Sequence, residues 1–133
     1  MNKNKGFTLI ELTIVLAILA IIAAILIPAF LTTTDRARLR GDIQSARVIH
    51  NAMELYRVER GVAVSGATMD DKLENLSDAG YLELRNARTQ TQGAVWYYDN
   101  NLGIVVVRVS GNLGAARAFD TLSDAEQLFV QLQ

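Results

Sequence analysis

The chain of 133 residues contains no cysteine, which excludes disulfides, thiolate metal sites and cysteine nucleophiles. Its fold must rest on packing alone. There is one histidine, His50. Without cysteine or a second histidine it makes no convincing metal site, and no nucleophile pairs with it in sequence. Its place beside Ile49 gives it a border-of-core or surface role. Proline is as scarce, with Pro28 alone. Formal net charge is −1, too near neutral to indicate DNA binding. No phosphate loop, catalytic carboxylate pair or nucleophile motif occurs. The chain is read as a non-enzyme with no catalytic, cofactor-binding or metal-binding residues and no need of a cofactor.

Charge is also nearly absent from residues 6–34, where Glu11 is the one formal charge between Lys5 and Asp35. Long aliphatic residues fill this stretch instead. Residues 7–30 as a helix span roughly 36 Å, more than the hydrocarbon core of a bilayer. The run is too long for a secretory signal peptide. A domain this small cannot enclose it as a buried core helix. Lys3 and Lys5 ahead of it favour a cytoplasmic N-terminus. A plain membrane anchor accounts for the length but not for Glu11, because a carboxylate is unfavourable there and an anchor needs none.

The string Gly6-Phe7-Thr8-Leu9-Ile10-Glu11-Leu12, behind a short basic leader, resembles the processing motif of type IV pilins and type II secretion pseudopilins. The close match covers about residues 3–31. The resemblance implies a leader of residues 1–6, cleavage after Gly6 by a membrane-embedded prepilin peptidase, and N-methylation of Phe7. It makes Glu11 the family's glutamate. A glycine before the cut gives the peptidase close access to the backbone. The cut exposes an amine at Phe7, largely protonated near neutral pH. Amine and carboxylate attract strongly in a low dielectric, so Glu11 and Phe7 form the expected assembly charge pair, within one helix or between neighbouring subunits. Pro28 has no N–H for the carbonyl of Ala24 and marks a helix kink. In the family such a stretch can unwind in the filament, helped in many relatives by a mid-helix glycine. Ala20 stands there in this chain.

Beyond Pro28, Thr32-Thr33-Thr34 marks the exit from the membrane. Leu39, Ile43, Ala46, Ile49, Met53 and Tyr56 then recur at helical spacing and make one apolar face. Arg38, Asp42, Glu54 and Arg57 offer oppositely charged neighbours on that helix. Gly61 is placed to end it, giving one helix over about residues 7–60. Gly41 and the broad alanine-rich face weigh against a heptad coiled coil. Residues 32–60 carry six arginines against four acids, and residues 61–133 five basic against nine acidic groups. Copies offset along an axis bring these regions together.

In the rest of the chain Thr68 and Asp71 approximate a capping box for a short helix through Leu73, Leu76 and Ala79, closed by Gly80. Tyr81 and Leu82 are expected to tuck back against it, a layout similar to the connecting segment of several pilins and pseudopilins. Residues 84–92 read as a loop. Residues 94–98 and 104–109 read as an antiparallel hairpin around Asp99-Asn100-Asn101. Ser123-x-x-Glu126 opens a short terminal helix, with a strand near residues 115–119 as the alternative. Trp96 and Tyr98 share one strand face, expected to pack on the long helix, and Tyr97 the other. Asp70, Asp71 and Glu74 suit the first turns of a helix better than a cation site.

The expected fold is therefore α+β: a long protruding N-terminal helix with a small antiparallel sheet on its C-terminal half. Residues 1–6 are the leader, 7–31 the transmembrane and filament-core helix, and 32–133 the globular domain, including the amphipathic residues 32–60. The implied function is that of a structural subunit of a pilus-like helical filament. Its implied partners are copies of itself, other pilins, the prepilin peptidase, an inner-membrane assembly platform and, before assembly, membrane lipid. The precursor crosses the cytoplasmic membrane once, and the filament is extracellular or periplasmic. A pseudopilin of a secretion or competence system is the alternative. A membrane-anchored binding module that never polymerises is the reading from another class. The Tyr-Pro loop of the major secretion pseudopilins is replaced here by Gly61-Val62-Ala63-Val64, which favours a pilin.

Overall fold

Helix α1 spans Leu9–Arg60, 52 residues and about 78 Å at the standard rise. The computed structural model describes residues 7–133, with nothing stated for the side chains of residues 85 and 86. Residues 1–6, expected as a leader ending in Gly6, lie outside the described residues. Helix α1 begins two residues later than the expected Phe7 because Thr8 is its extended N-cap (ψ 149°). It ends where Gly61 takes a left-handed conformation (φ 70°) and donates its N–H to the carbonyl of Arg57. Pro28 sits inside the continuous helix. The hydroxyls of Thr32 and Thr33 donate to the carbonyl of Ala29, and that of Thr34 to Phe30. These polar residues therefore satisfy themselves on the helix instead of interrupting it.

The two halves of α1 differ completely in burial. Residues 7–33 are exposed, and an 18-residue window within the helix is apolar enough to span a membrane with none of it buried. Residues Leu39, Asp42, Ile43, Ala46, Ile49 and Ala52 are buried. Met53 and Tyr56 pack partly against the core. The core face of α1 is thus set by the apolar spacing of its second half alone.

Helix α2, Met69–Asp78, starts at a complete Thr68–Asp71 capping box and buries Leu73 and Leu76. Gly80 (φ 81°) turns the chain, and the N–H of Tyr81 reaches back to the carbonyl of Leu76. Leu82 is buried. Tyr81 meets Tyr56 edge-on at 5.4 Å and donates its hydroxyl proton to Glu59. A single 3-10 turn, Leu84–Ala87, interrupts the segment expected to be loop.

Strands β1 (Ala94–Asp99) and β2 (Ile104–Val109) form the expected antiparallel hairpin, with Ala94 opposite Val109 and Asp99 opposite Ile104. Asp99 closes it by accepting the N–H groups of Asn101 and Leu102 on Oδ1. The sheet itself departs from the expectation. A third strand, β3 (Val130–Leu132), lies parallel to β2, so the sheet is mixed, in the order β1-β2-β3. Parallel neighbours need a long crossover, and residues 110–129 supply it. That crossover holds α3 (Leu113–Phe119) where a strand was the alternative, and α4 (Asp124–Gln127). The Ser123–Glu126 capping box forms as expected, but its helix lasts four residues before the chain enters β3. Residues 115–119 pack as helix because Ala115 and Ala118, at i and i+3, present a small buried face to α1.

Candidate processing and assembly segment

Where α1 begins, Glu11 and Thr8 hold each other. The Thr8 N–H and hydroxyl both donate to Oε2 of Glu11 at 2.9 Å, and the Glu11 N–H donates back to the Thr8 hydroxyl at 3.3 Å. This is a reciprocal capping box. Among the described residues the two bonds from Thr8 are those of the Glu11 carboxylate. It is satisfied locally, within the first turn of α1. The Thr-x-x-Glu spacing is the sequence signal for this box. Phe7 is 83% exposed and precedes the helix. The structure thus brings Glu11 to Thr8. The Phe7 amine exists only after a cut.

The side chains beside Glu11 are apolar and uncovered, among them Ile10, Leu12, Ile14 and Val15. An exposed aliphatic surface along half of a 52-residue helix is far larger than a soluble monomer tolerates. The chain's own domain leaves it uncovered. Pro28 lies near the end of this surface, just before Thr32-Thr33-Thr34.

The globular part holds the emerging helix firmly. Asp42, read as an oppositely charged helix neighbour of Arg38, is fully buried and bonds elsewhere. Its two oxygens accept the backbone N–H groups of Gln90 at 2.6 Å and Thr91 at 2.8 Å. A sequence signal existed, because Asp42 falls on the same helical stripe as Leu39, Ile43 and Ala46. The other expected pair, Glu54–Arg57, does form at 3.5 Å.

The remaining candidates are occupied by structure. Trp96 is buried and its indole N–H donates to the carbonyl of Ala87. Tyr98 packs partly on the core, and Tyr97 lies on the opposite face, 3.4 Å beneath the Arg108 guanidinium. Asp71 caps α2, and the Thr68 N–H, then its hydroxyl, hold its carboxyl below the usual range. His50 is half-buried, with Nδ1 lacking a hydrogen-bond partner. Among the described residues no three His, Cys, Asp or Glu side chains gather into a metal site.

Comparison with known proteins places these features. Residues 1–27 match the prokaryotic N-terminal methylation motif. A fimbrial protein of Pseudomonas aeruginosa is 34% identical over 105 residues, 79% of this chain and 66% of the relative. Prepilin peptidase-dependent protein A of Clostridium perfringens is 42% identical over 64 residues, 48% of this chain and 46% of the relative. The type IV wide pilus major component PilA4 of Thermus thermophilus is 62% identical over 62 residues, 44% of this chain and 45% of that protein. The aligned segments thus span from under half to about two thirds of these relatives' lengths. No solved structure matches. With the methylation motif at its head, an exposed apolar half-helix and a small α+β domain on the other half, the chain belongs to the type IV pilin and pseudopilin family.

Proposed function

We propose that this chain is the precursor of a structural subunit of a type IV pilus-like filament. The observation that carries the reading is the motif Gly6 to Leu12 opening an apolar helix that the chain's own domain leaves uncovered. In this reading residues 1–6 are the leader, residues 7–31 the membrane and filament-core helix, and residues 32–133 the outward-facing domain. Prepilin peptidase cuts after Gly6 and methylates Phe7. The assembly platform then lifts the subunit out of lipid, and its apolar helix joins those of other copies in a central bundle.

Glu11 changes partners during this sequence. In the precursor it is satisfied by Thr8, which eases its residence in the membrane. After the cut, the new Phe7 amine offers a full opposite charge. Glu11 of a subunit already in the filament can take that amine and so set the axial step between helices. Pro28 supplies a turn with one missing backbone hydrogen bond, where the helix can kink or unwind in the filament. No catalytic role is proposed.

A pseudopilin role is the second reading. It is favoured by a likeness to the type II secretion system core protein G of Vibrio cholerae, 32% identical over 76 residues. The wider coverage of the Pseudomonas fimbrial protein favours the pilus. Electron microscopy of material sheared from cells that make the protein tests the proposal. Long filaments that react with antibody to the domain support it. An anchored subunit absent from the sheared fraction contradicts it.

A further inference from the structure

A cleft of about 590 Å3 opens between α1 and α3 where α1 leaves its apolar run. Pro28, Leu31 and Ala118 give it an apolar floor. Two guanidinium groups also line it, Arg36 from α1 and Arg117 from α3. Both side chains are exposed.

Most arginines of α1 are engaged elsewhere. Arg40 pairs with Glu126, Arg57 pairs with Glu54, Arg47 lies over Phe129 and Arg60 over Tyr56. Arg36 and Arg117 take part in none of the ion pairs or ring contacts found among the described residues. The one acid in the cleft, Asp35, packs its carboxylate against Gly114 so closely that a Cβ there would collide with it. The cleft is therefore cationic, two charges against one, above an apolar floor.

Its height along the helix identifies the occupant. Arg36 stands about 7.5 Å above Leu31, the last residue of the apolar run. The headgroup layer of a bilayer extends roughly 5–7 Å beyond each side of the hydrocarbon core. We propose that this cleft binds the phosphodiester headgroup of a phospholipid from the outer leaflet while the subunit waits in the membrane. The two guanidinium forks donate to the phosphate oxygens, and the apolar floor receives the upper part of an acyl chain. The bound lipid fixes how the domain sits on the bilayer and is left behind on extraction. This rests on the membrane-inserted precursor described above.

The test uses the full-length chain in nanodiscs of equal parts phosphatidylcholine and phosphatidylglycerol. The intact chain is then released gently into detergent, and the lipids it retains are counted by native mass spectrometry. The wild-type chain is expected to carry one phospholipid. The double variant Arg36→Gln with Arg117→Gln should lose it about tenfold, and the lysine pair should keep part of it, as a point charge replaces the fork. Should the glutamine pair unfold by circular dichroism, Thr121→Trp fills the cleft from the end of α3, keeps both arginines, and should give the same loss. Equal retention in whichever of these variants folds overturns the proposal, as does binding of added inorganic phosphate without retention of lipid. Resistance to alkaline extraction reports insertion separately. A chain that washes off overturns the membrane reading and the lipid site together, whereas an inserted chain with unchanged retention overturns the lipid site alone.

Discussion

Asp42 of α1 accepts the backbone N–H of Thr91 at 2.8 Å, tying the loop before β1 to the middle of the long helix. Its second oxygen takes the N–H of Gln90, so one fully buried carboxylate satisfies two backbone donors across 48 and 49 residues of sequence. Asp42→Ala leaves both donors buried or half-buried without that acceptor. The expected loss is roughly 3 kcal/mol of domain stability, from bonds to a charged group. Denaturant unfolding of the domain, followed by Trp96 fluorescence, measures it. Trp96 is a close reporter because Ala87, which accepts its indole N–H, precedes Gln90 by three residues. A change under about 1 kcal/mol would show that the clamp contributes little.

A chain shortened to residues 33–133 is expected to be soluble, folded and monomeric. Residues 7–33 contribute no buried side chain, whereas Leu39, Ile43, Ala46 and Ile49 already lie in the core. Circular dichroism should show helix and sheet together. Disorder, or a stable helix-mediated dimer at micromolar concentration, contradicts this division of the chain.

The long helix and the hairpin were legible because their signals are local. The uninterrupted apolar run, the 3–4 spacing of Leu39 through Tyr56 and the β-branched run of β2 each stand in one stretch of sequence. The mixed sheet was not. Three residues of β3 carry little pattern, and their pairing with Val107–Val109 of β2 is decided by where α3 and α4 deliver the chain. The segment of residues 115–119 has strand and helix both open to it until α1 offers a surface for Ala115 and Ala118. At the functional end, Glu11 stood out by its charge, but Thr8 did not, because a threonine in an apolar run looks ordinary until the helix start is known. The cleft of Arg36 and Arg117 joins residues 81 positions apart, beyond any sequence pattern.

Acid should weaken the domain through three carboxyls held below their usual range. Asp99 is held there first by the Leu102 and Asn101 N–H groups, and Glu126 and Asp71 first by the N–H groups of Ser123 and Thr68. Each folded pKa is lowered, so the unfolded chain binds more protons as pH falls. Their contribution is fully present above the ordinary carboxylate range, about pH 4, and is lost progressively below it, down through the folded values. The melting temperature should therefore be level near neutral pH and fall below about pH 4. Asp99→Asn should flatten part of that fall. An equally steep fall in the variant contradicts the assignment to Asp99.

Glu11→Gln should leave processing and insertion intact and block polymerisation. Glutamine can still accept from Thr8, so the helix start survives, but it has no charge for the Phe7 amine. Processed subunit should accumulate in the membrane with few filaments. A wild-type ratio of sheared filament to membrane-bound subunit, at matched expression, would contradict the pairing of Glu11 with Phe7.

The central claim is that this chain is cut and assembled. The most direct measurement is the intact mass of the subunit purified from sheared filaments. The account predicts a chain lacking residues 1–6, beginning at Phe7 and heavier by one methyl group on its amine. A filament subunit that retains Gly6, or one cut at another position, would contradict it.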